Sequence, residues 1–472
     1  MLTTIGAVLV GACMVREERG TAASSLNLSS CSVPGIDRQG ECGTLDVPES
    51  RERPGRTISL RLVVVRATQP AGREAVFFMT GGPGSGATAS ARGLTREHAV
   101  LAQTHDFVFM DQRGTGQSNP LSCATPEAPG LPPMFSADDA ARCRKALEPS
   151  ADLTAYTTSD AVADLEAVRR ALGYERVNLH GSSYGTRLAW AYAATFPERA
   201  RTLVLHGPVP PGFLIPLPFA KGLETALNGL VADCHADPPC ADRFPRLAAD
   251  VDAAFERLRG APAKVKLDGQ TETTFTRGEL AEAVRYLLYS ATDARRIPLL
   301  LTHAAAGDYT PIARASADYR RGLSRTLTMG MYLSVTCAED IPFLDDPTIA
   351  ATTQNTKLGD YRARQQMAAC SAWPRAAAST ARAGQPAPLR VPALIQAGAY
   401  DPATPLESAR RAAALLPEGR LVVVPHGAHA FAGLGIEECL SRMTTAFITA
   451  GSATGIDDSC VAQARRPPFV LQ

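Results

Sequence analysis

The stretch Val177-Asn178-Leu179-His180-Gly181-Ser182-Ser183-Tyr184-Gly185 decides the fold. A short apolar run enters G-x-S-x-G, and Leu188, Ala189 and Tyr192 continue beyond it at helical spacing. Strand, sharp turn and helix are predicted, with Ser183 at the tip of the turn. The small residues on either side relieve crowding. The Ser183 hydroxyl is then presented at the carboxyl end of a sheet, where a helix N-terminus favours developing negative charge. The motif alone is frequent by chance, and a glycine-rich turn that merely packs is the plainer alternative. Ser182 lies off the central position.

Working outward, residues 62–65, 75–79, 107–110 and 203–205 are short runs rich in Val, Phe and Leu, as a parallel strand buried on both faces requires. Val162, Leu165, Val168 and Leu172 mark a helix between the third and fourth strands, with Ser159 or Asp160 able to cap it and Gly173 to end it. From 208 to 389 strand signals nearly vanish. Phe219, Leu223, Leu227 and Leu230 mark one helix, and Leu247, Val251, Phe255 and Leu258 another. One hairpin is expected around Asp268-Gly269, and Pro-rich stretches flank the block. The β/α pattern returns with strands at 393–396 and 421–424 and helices at 405–416 and 437–448. An α/β core interrupted by a helical cap is expected, with the core over 30–207 and 390–472 and the cap over 208–389.

A serine hydroxyl needs a base. After a nucleophile turn of this kind the acid and then the histidine follow along the chain. Of eight histidines only His426 and His429 lie late enough; His98, His105, His180 and His206 fall in the first core segment, and His235 and His303 in the cap. His429 is preferred, because its loop reaches over the sheet edge, whereas His426 sits closer to its strand. Asp401 follows the preceding strand and is placed to orient the imidazole. Glu407 and Glu418 are expected to be solvated. Thr404 is expected to cap the next helix ahead of Pro405 and to brace the loop. Thr80-Gly81-Gly82-Pro83-Gly84-Ser85-Gly86 follows the strand 75–79. The N–H groups of Gly82 and Tyr184 are the expected pair for an oxyanion. A phosphate loop is disfavoured: the Walker lysine is absent and Pro83 interrupts G-x-G-x-x-G.

The composition agrees. The 472 residues are 45% hydrophobic, and 48 basic against 47 acidic side chains leave no charge excess to suit nucleic acid. No run of 18 apolar residues is present, so no membrane span is expected. Residues 1–25 read as a secretory leader, or as a lipoprotein leader with a lipid on Cys13. The ten other cysteines fall into close pairs, Cys31/Cys42, Cys123/Cys143, Cys234/Cys240, Cys337/Cys370 and Cys439/Cys460. Five local disulfides in an oxidising compartment are expected, secreted or in the cell envelope. A metal site is not expected, nor any cofactor.

These residues together resemble the α/β-hydrolase superfamily, and more closely the bacterial prolyl aminopeptidase and tripeptidyl aminopeptidase-like serine hydrolases. The resemblance rests on Gly-Gly-Pro-Gly at 81–84, the segment from Asp111 through Arg113 to Ser118, Gly-Ser-Ser-Tyr-Gly at 181–185, Asp401 to Pro405, and Gly427-Ala428-His429. It implies the α/β-hydrolase fold: a mostly parallel sheet flanked by helices, with a mainly helical cap inserted before the acid and the histidine. Residues 390–472 would form the tripeptidyl aminopeptidase-like C-terminal region. It further implies Ser183 as nucleophile, His429 as base, Asp401 as its acid, and Asp111 and Arg113 as braces of the oxyanion turn. Exopeptidase action on free N-termini follows, with Glu339 as candidate for the substrate ammonium. Two departures bear on substrate: Thr80 where prolyl aminopeptidases carry His, and His206 where tripeptidyl relatives usually carry Asp. The expected substrate is a short peptide. A carboxylesterase for small or lipid esters and a catalytically silent binding protein are the alternatives.

Overall fold

The computed structural model describes residues 26–472 apart from 34–35, 37–38, 54, 71, 124–134, 268–271 and 377–386. The leader expected over 1–25, with Cys13, lies outside the described residues. Among the described residues there are eleven strands: β1 Asn27–Ser32, β2 Gln39–Pro48, β3 Thr57–Val65, β4 Ala75–Met79, β5 Asp106–Met110, β6 Val177–Ser182, β7 Ala200–His206, β8 Ala263–Lys266, β9 Glu272–Phe275, β10 Ala393–Gly398 and β11 Gly419–Val424. Nine form one sheet in the order β1-β2-β3-β5-β4-β6-β7-β10-β11. Strands β5, β4, β6, β7, β10 and β11 pair in parallel, while β1, β2 and β3 are antiparallel. The expected strands recur with slightly longer bounds. Strands β4 and β10 are buried at every position, as helices on both faces require.

Strands β1 and β2 lie before the first expected strand. Polar residues occupy most of β1, Asn27-Leu28-Ser29-Ser30-Cys31-Ser32, which pairs only with β2 at the sheet edge. An edge strand with exposed faces carries little apolar signal.

The helix Thr158–Leu172 starts at a different residue than expected. Thr157 is its cap: its hydroxyl accepts from Asp160 N at 3.2 Å, and the Asp160 carboxylate accepts in return from Thr157 N at 3.3 Å. Neither Ser159 nor Asp160 caps, because a reciprocal capping box forms two residues earlier. Gly173 ends the helix at φ 72°, as expected.

The chain between β7 and β10 is mainly helical, with β8 and β9 paired antiparallel; the turn expected around Asp268-Gly269 lies outside the described residues. Phe219, Leu223, Leu227, Leu230, Phe255 and Leu280 share one buried cluster there. All five expected cysteine pairs are disulfides: Cys31–Cys42, Cys123–Cys143, Cys234–Cys240, Cys337–Cys370 and Cys439–Cys460. The fourth closes 33 residues within the cap. Cross-links of this kind stabilise mainly by restricting the unfolded chain, by roughly 2–4 kcal/mol each.

Candidate active site

Ser183 sits between β6 and the helix Tyr184–Thr195 at φ 55°, ψ −126°. A non-glycine residue held there stores about 1–3 kcal/mol of strain. The surroundings enforce it. Ser183 N donates to His206 O at 2.8 Å, and Ser183 O accepts from Thr186 N at 2.9 Å and Thr186 Oγ1 at 2.5 Å. Glycine is needed where chains close in: a Cβ at Gly81 would lie 2.8 Å from Ser183 Cβ, and one at Gly185 only 2.2 Å from Met79 O. The turn therefore packs directly on the Thr80–Gly86 loop. Thr80, the first departure from the resembled family, closes that loop by donating to Ser85 O at 2.7 Å.

On the neighbouring strands, Asp401 follows β10 and His429 follows β11. His429 Nδ1 and Asp401 Oδ2 are 2.7 Å apart. Asp401 is 2% exposed and accepts three further bonds: Ala403 N at 2.7 Å, Thr404 N at 2.8 Å and Thr404 Oγ1 at 2.7 Å. Burial alone would raise its pKa, but the His429 charge and these donors hold it below the ordinary carboxylate value. Thr404 does not cap the helix Leu406–Ala414, whose cap position is Pro405. Its hydroxyl is committed to Asp401 instead, because the loop folds back so that both amide and hydroxyl reach the carboxylate.

One further histidine and a cap tyrosine frame His429. His206 Nε2 is 2.8 Å from His429 O, and the Tyr289 ring of the cap meets the His429 imidazole edge-on at 5.1 Å. His426 points elsewhere, with Nδ1 3.0 Å from Asp233 Oδ2 on the cap helix Phe219–Ala236.

A cavity of about 300 Å³ opens over this edge. Gly81, Gly82, Ser183, Thr404 and His429 form its floor, and the cap supplies Arg285, Tyr286, Tyr289, Tyr319, Tyr332 and Arg362. Ser183, His429 and Gly82 are thus brought to one place. Tyr184 is the first residue of its helix, where N–H groups lack intrahelical partners. Among the described residues no Asp or Glu lines the cavity.

Glu339 is not brought there. It is 6% exposed, and its carboxylate accepts from Thr158 N at 2.6 Å and Thr158 Oγ1 at 2.7 Å, with Arg187 Nη1 at 3.4 Å. Asp111 accepts from Thr88 N at 2.8 Å and Gln117 N at 2.9 Å, tying the segment after the Thr80–Gly86 loop to its own turn. Arg113, fully buried, instead chelates Asp164 at 2.6 and 2.7 Å and donates to Glu49 O and Ala155 O, tying the end of β2 to the helix Thr158–Leu172.

The cap residues Arg285, Tyr286, Tyr289 and Arg362 carry no sequence motif. One signal was available. Glu282 and Arg285 stand three apart in a helix, Arg277–Leu287, whose residues from Glu279 onward are all buried. Charged residues within such a helix mark a paired or functional wall.

The chain matches the family described as alpha/beta hydrolase fold over residues 74–434. It is 26% identical to a tripeptidyl aminopeptidase of Streptomyces lividans, over 96% of this chain and 91% of that protein. It is 25% identical to the serine protease Hip1 of Mycobacterium tuberculosis, over 89% of this chain and 87% of that protein. A proline iminopeptidase of Neisseria gonorrhoeae is 35% identical over 132 residues, 28% of this chain and 32% of that protein.

Proposed function

The chain belongs to the α/β-hydrolase family, and from that premise we propose that it is a serine hydrolase of the aminopeptidase type, releasing short N-terminal peptides or single residues. The observation that carries this reading is that His429, held 2.7 Å from the buried Asp401, lines the same cavity as Ser183. Relatives named tripeptidyl aminopeptidase and serine protease, aligned over most of the chain, support it.

In the proposed course, Ser183 Oγ attacks the scissile carbonyl while His429 Nε2 takes its proton. Asp401 fixes the tautomer with the proton on Nδ1 and stabilises the imidazolium. Gly82 N–H and Tyr184 N–H receive the oxyanion. His429 then returns the proton to the leaving amine, and water activated by the same imidazole releases the acyl group. Thr404 supports the pair through its hydroxyl. The core spans 30–207 and 390–472, and the cap 208–389. A leader over 1–25, with or without a lipid on Cys13, would deliver the chain to an oxidising compartment, which the five disulfides suit.

A second reading, a carboxylesterase, is favoured by one observation: no carboxylate among the described residues lines the cavity to receive a substrate ammonium. Equal turnover of an aminoacyl arylamide and its N-acylated form would support the esterase; strong preference for the free amine supports the aminopeptidase. For the shared chemistry, Ser183→Ala should lower the rate by about 10⁶-fold and abolish any acyl-enzyme burst. Retention of more than a tenth of the rate by a folded variant would dismiss Ser183 as nucleophile.

A further inference from the structure

Arg285 and Arg362 face the cavity from two cap helices, Arg277–Leu287 and Tyr361–Ser371, and are 2% and 3% exposed. One carboxylate serves both. Glu282 accepts from Arg285 Nε and Nη2 at 2.9 Å each, and Arg362 Nε stands 3.8 Å from it. Arg362 otherwise donates to neutral oxygens, Gln366 Oε1 at 2.9 Å and Tyr332 OH at 3.0 Å, and lies 3.6 Å above the Phe135 ring. Its buried Nε has no hydrogen-bond partner. Burying a guanidinium is costly unless it is paired and fully bonded. Two such groups on one anion leave the wall short of negative charge.

The nearby acids do not supply it. Asp340, in range of Tyr332, is bonded to Arg187 at 3.0 and 3.2 Å. Asp293, in range of Tyr319, bonds Ser290. Arg320 adds positive charge in range of Tyr286. An ammonium entering here would meet guanidiniums and tyrosine hydroxyls, with no carboxylate in the lining. A carboxylate would meet planar donors suited to it.

We propose that Arg285 and Arg362 form a subsite for a carboxylate on the acyl portion of the substrate, seated against the cap while Ser183 attacks the acyl carbonyl. This rests on the serine-hydrolase reading and narrows it to acidic acyl groups: an acidic aminoacyl residue or the monoester of a dicarboxylic acid. The carboxylate takes no part in bond making; it fixes where the carbonyl lies.

The test follows labelling of Ser183 by a fluorophosphonate in the full chain, with glutarate or its uncharged counterpart glutaramide as protectant. Glutarate should slow labelling at least tenfold at a concentration where glutaramide does not, and Arg362→Gln, folded by near-ultraviolet circular dichroism, should erase the difference. Equal protection by the two in the wild type would overturn the subsite, while the labelling itself would keep the hydrolase reading. No labelling of Ser183 would end both. Two substrate pairs then identify the source: glutamyl against glutaminyl 4-nitroanilide, and mono-4-nitrophenyl glutarate against its methyl-capped diester. A tenfold or greater preference in kcat/KM for the charged member of one pair supports the assignment, and preference in neither overturns it.

Discussion

Asp401 in the core and Glu339 in the cap are both buried carboxylates with a role expected from the sequence, and the molecule treats them oppositely. Asp401 collects three bonds from its own loop and turns its remaining reach on His429, at the floor of a cavity. Glu339 is spent on Thr158 and Arg187, joining cap to core away from that cavity. Burial and charge alone do not make a site residue; the identity of the partner and the presence of open space beside it do. The same contrast holds for the arginines: Arg113 is closed on Asp164 and carbonyls, whereas Arg362 is left with a bare Nε at the cavity wall.

The sharpest way to break the comparison is to neutralise each acid. Asp401→Asn should lower kcat by about 10⁴-fold with little change in melting temperature, since the wrong histidine tautomer is favoured. Stopped-assay kinetics beside thermal unfolding checks this, and a loss under tenfold would remove Asp401 from the relay. Glu339→Ala should do the reverse. It leaves Thr158 and Arg187 short of a partner and should cost about 3 kcal/mol or more in denaturant unfolding, with kcat of the folded fraction within about threefold. A change in KM for free amines larger than the stability loss explains would restore Glu339 as an ammonium site.

A third prediction concerns the buried histidines of the core. Burial pushes His98 down to about 4 and lowers His180 and His206 as well, so all three are neutral when folded. The unfolded chain binds these protons near pH 6.5, so stability falls as pH drops from about 6.5 toward 4. His98 alone contributes up to ~3 kcal/mol of that loss. Glu282, held at about 2 against burial by Arg285 and Arg362, adds a loss below about pH 4.5 with the same sign, now in the cap. Unfolding free energies across pH 2–8 test this; a flat profile would contradict it. The smallest effect is expected at His426, which sits at φ 57° and bonds Asp233 away from the cavity. His426→Asn, which tolerates that backbone, should change kcat/KM by less than about threefold.

The core was legible and the cap wall was not, for physical reasons. Strands β4, β5 and β10 are dominated by apolar residues because both faces are covered, and G-x-S-x-G reports a turn whose crowding only small residues permit. His429 could be reached by elimination because its partners follow one another along strand ends. Polar β1 carries too little apolar signal to read as a strand. Thr157 was passed over because the helix begins before its first apolar residue. The lining of Arg285, Tyr289, Tyr319 and Arg362 is assembled from separate helices by long-range packing, which no local spacing encodes.

The most direct measurement is peptide mapping of a fluorophosphonate adduct by mass spectrometry. Attachment to Ser183, lost in Ser183→Ala and strongly slowed in His429→Ala, is the predicted result. Attachment to Ser182 or another serine, or labelling indifferent to His429, would contradict a site in which residues from three distant strand ends act together.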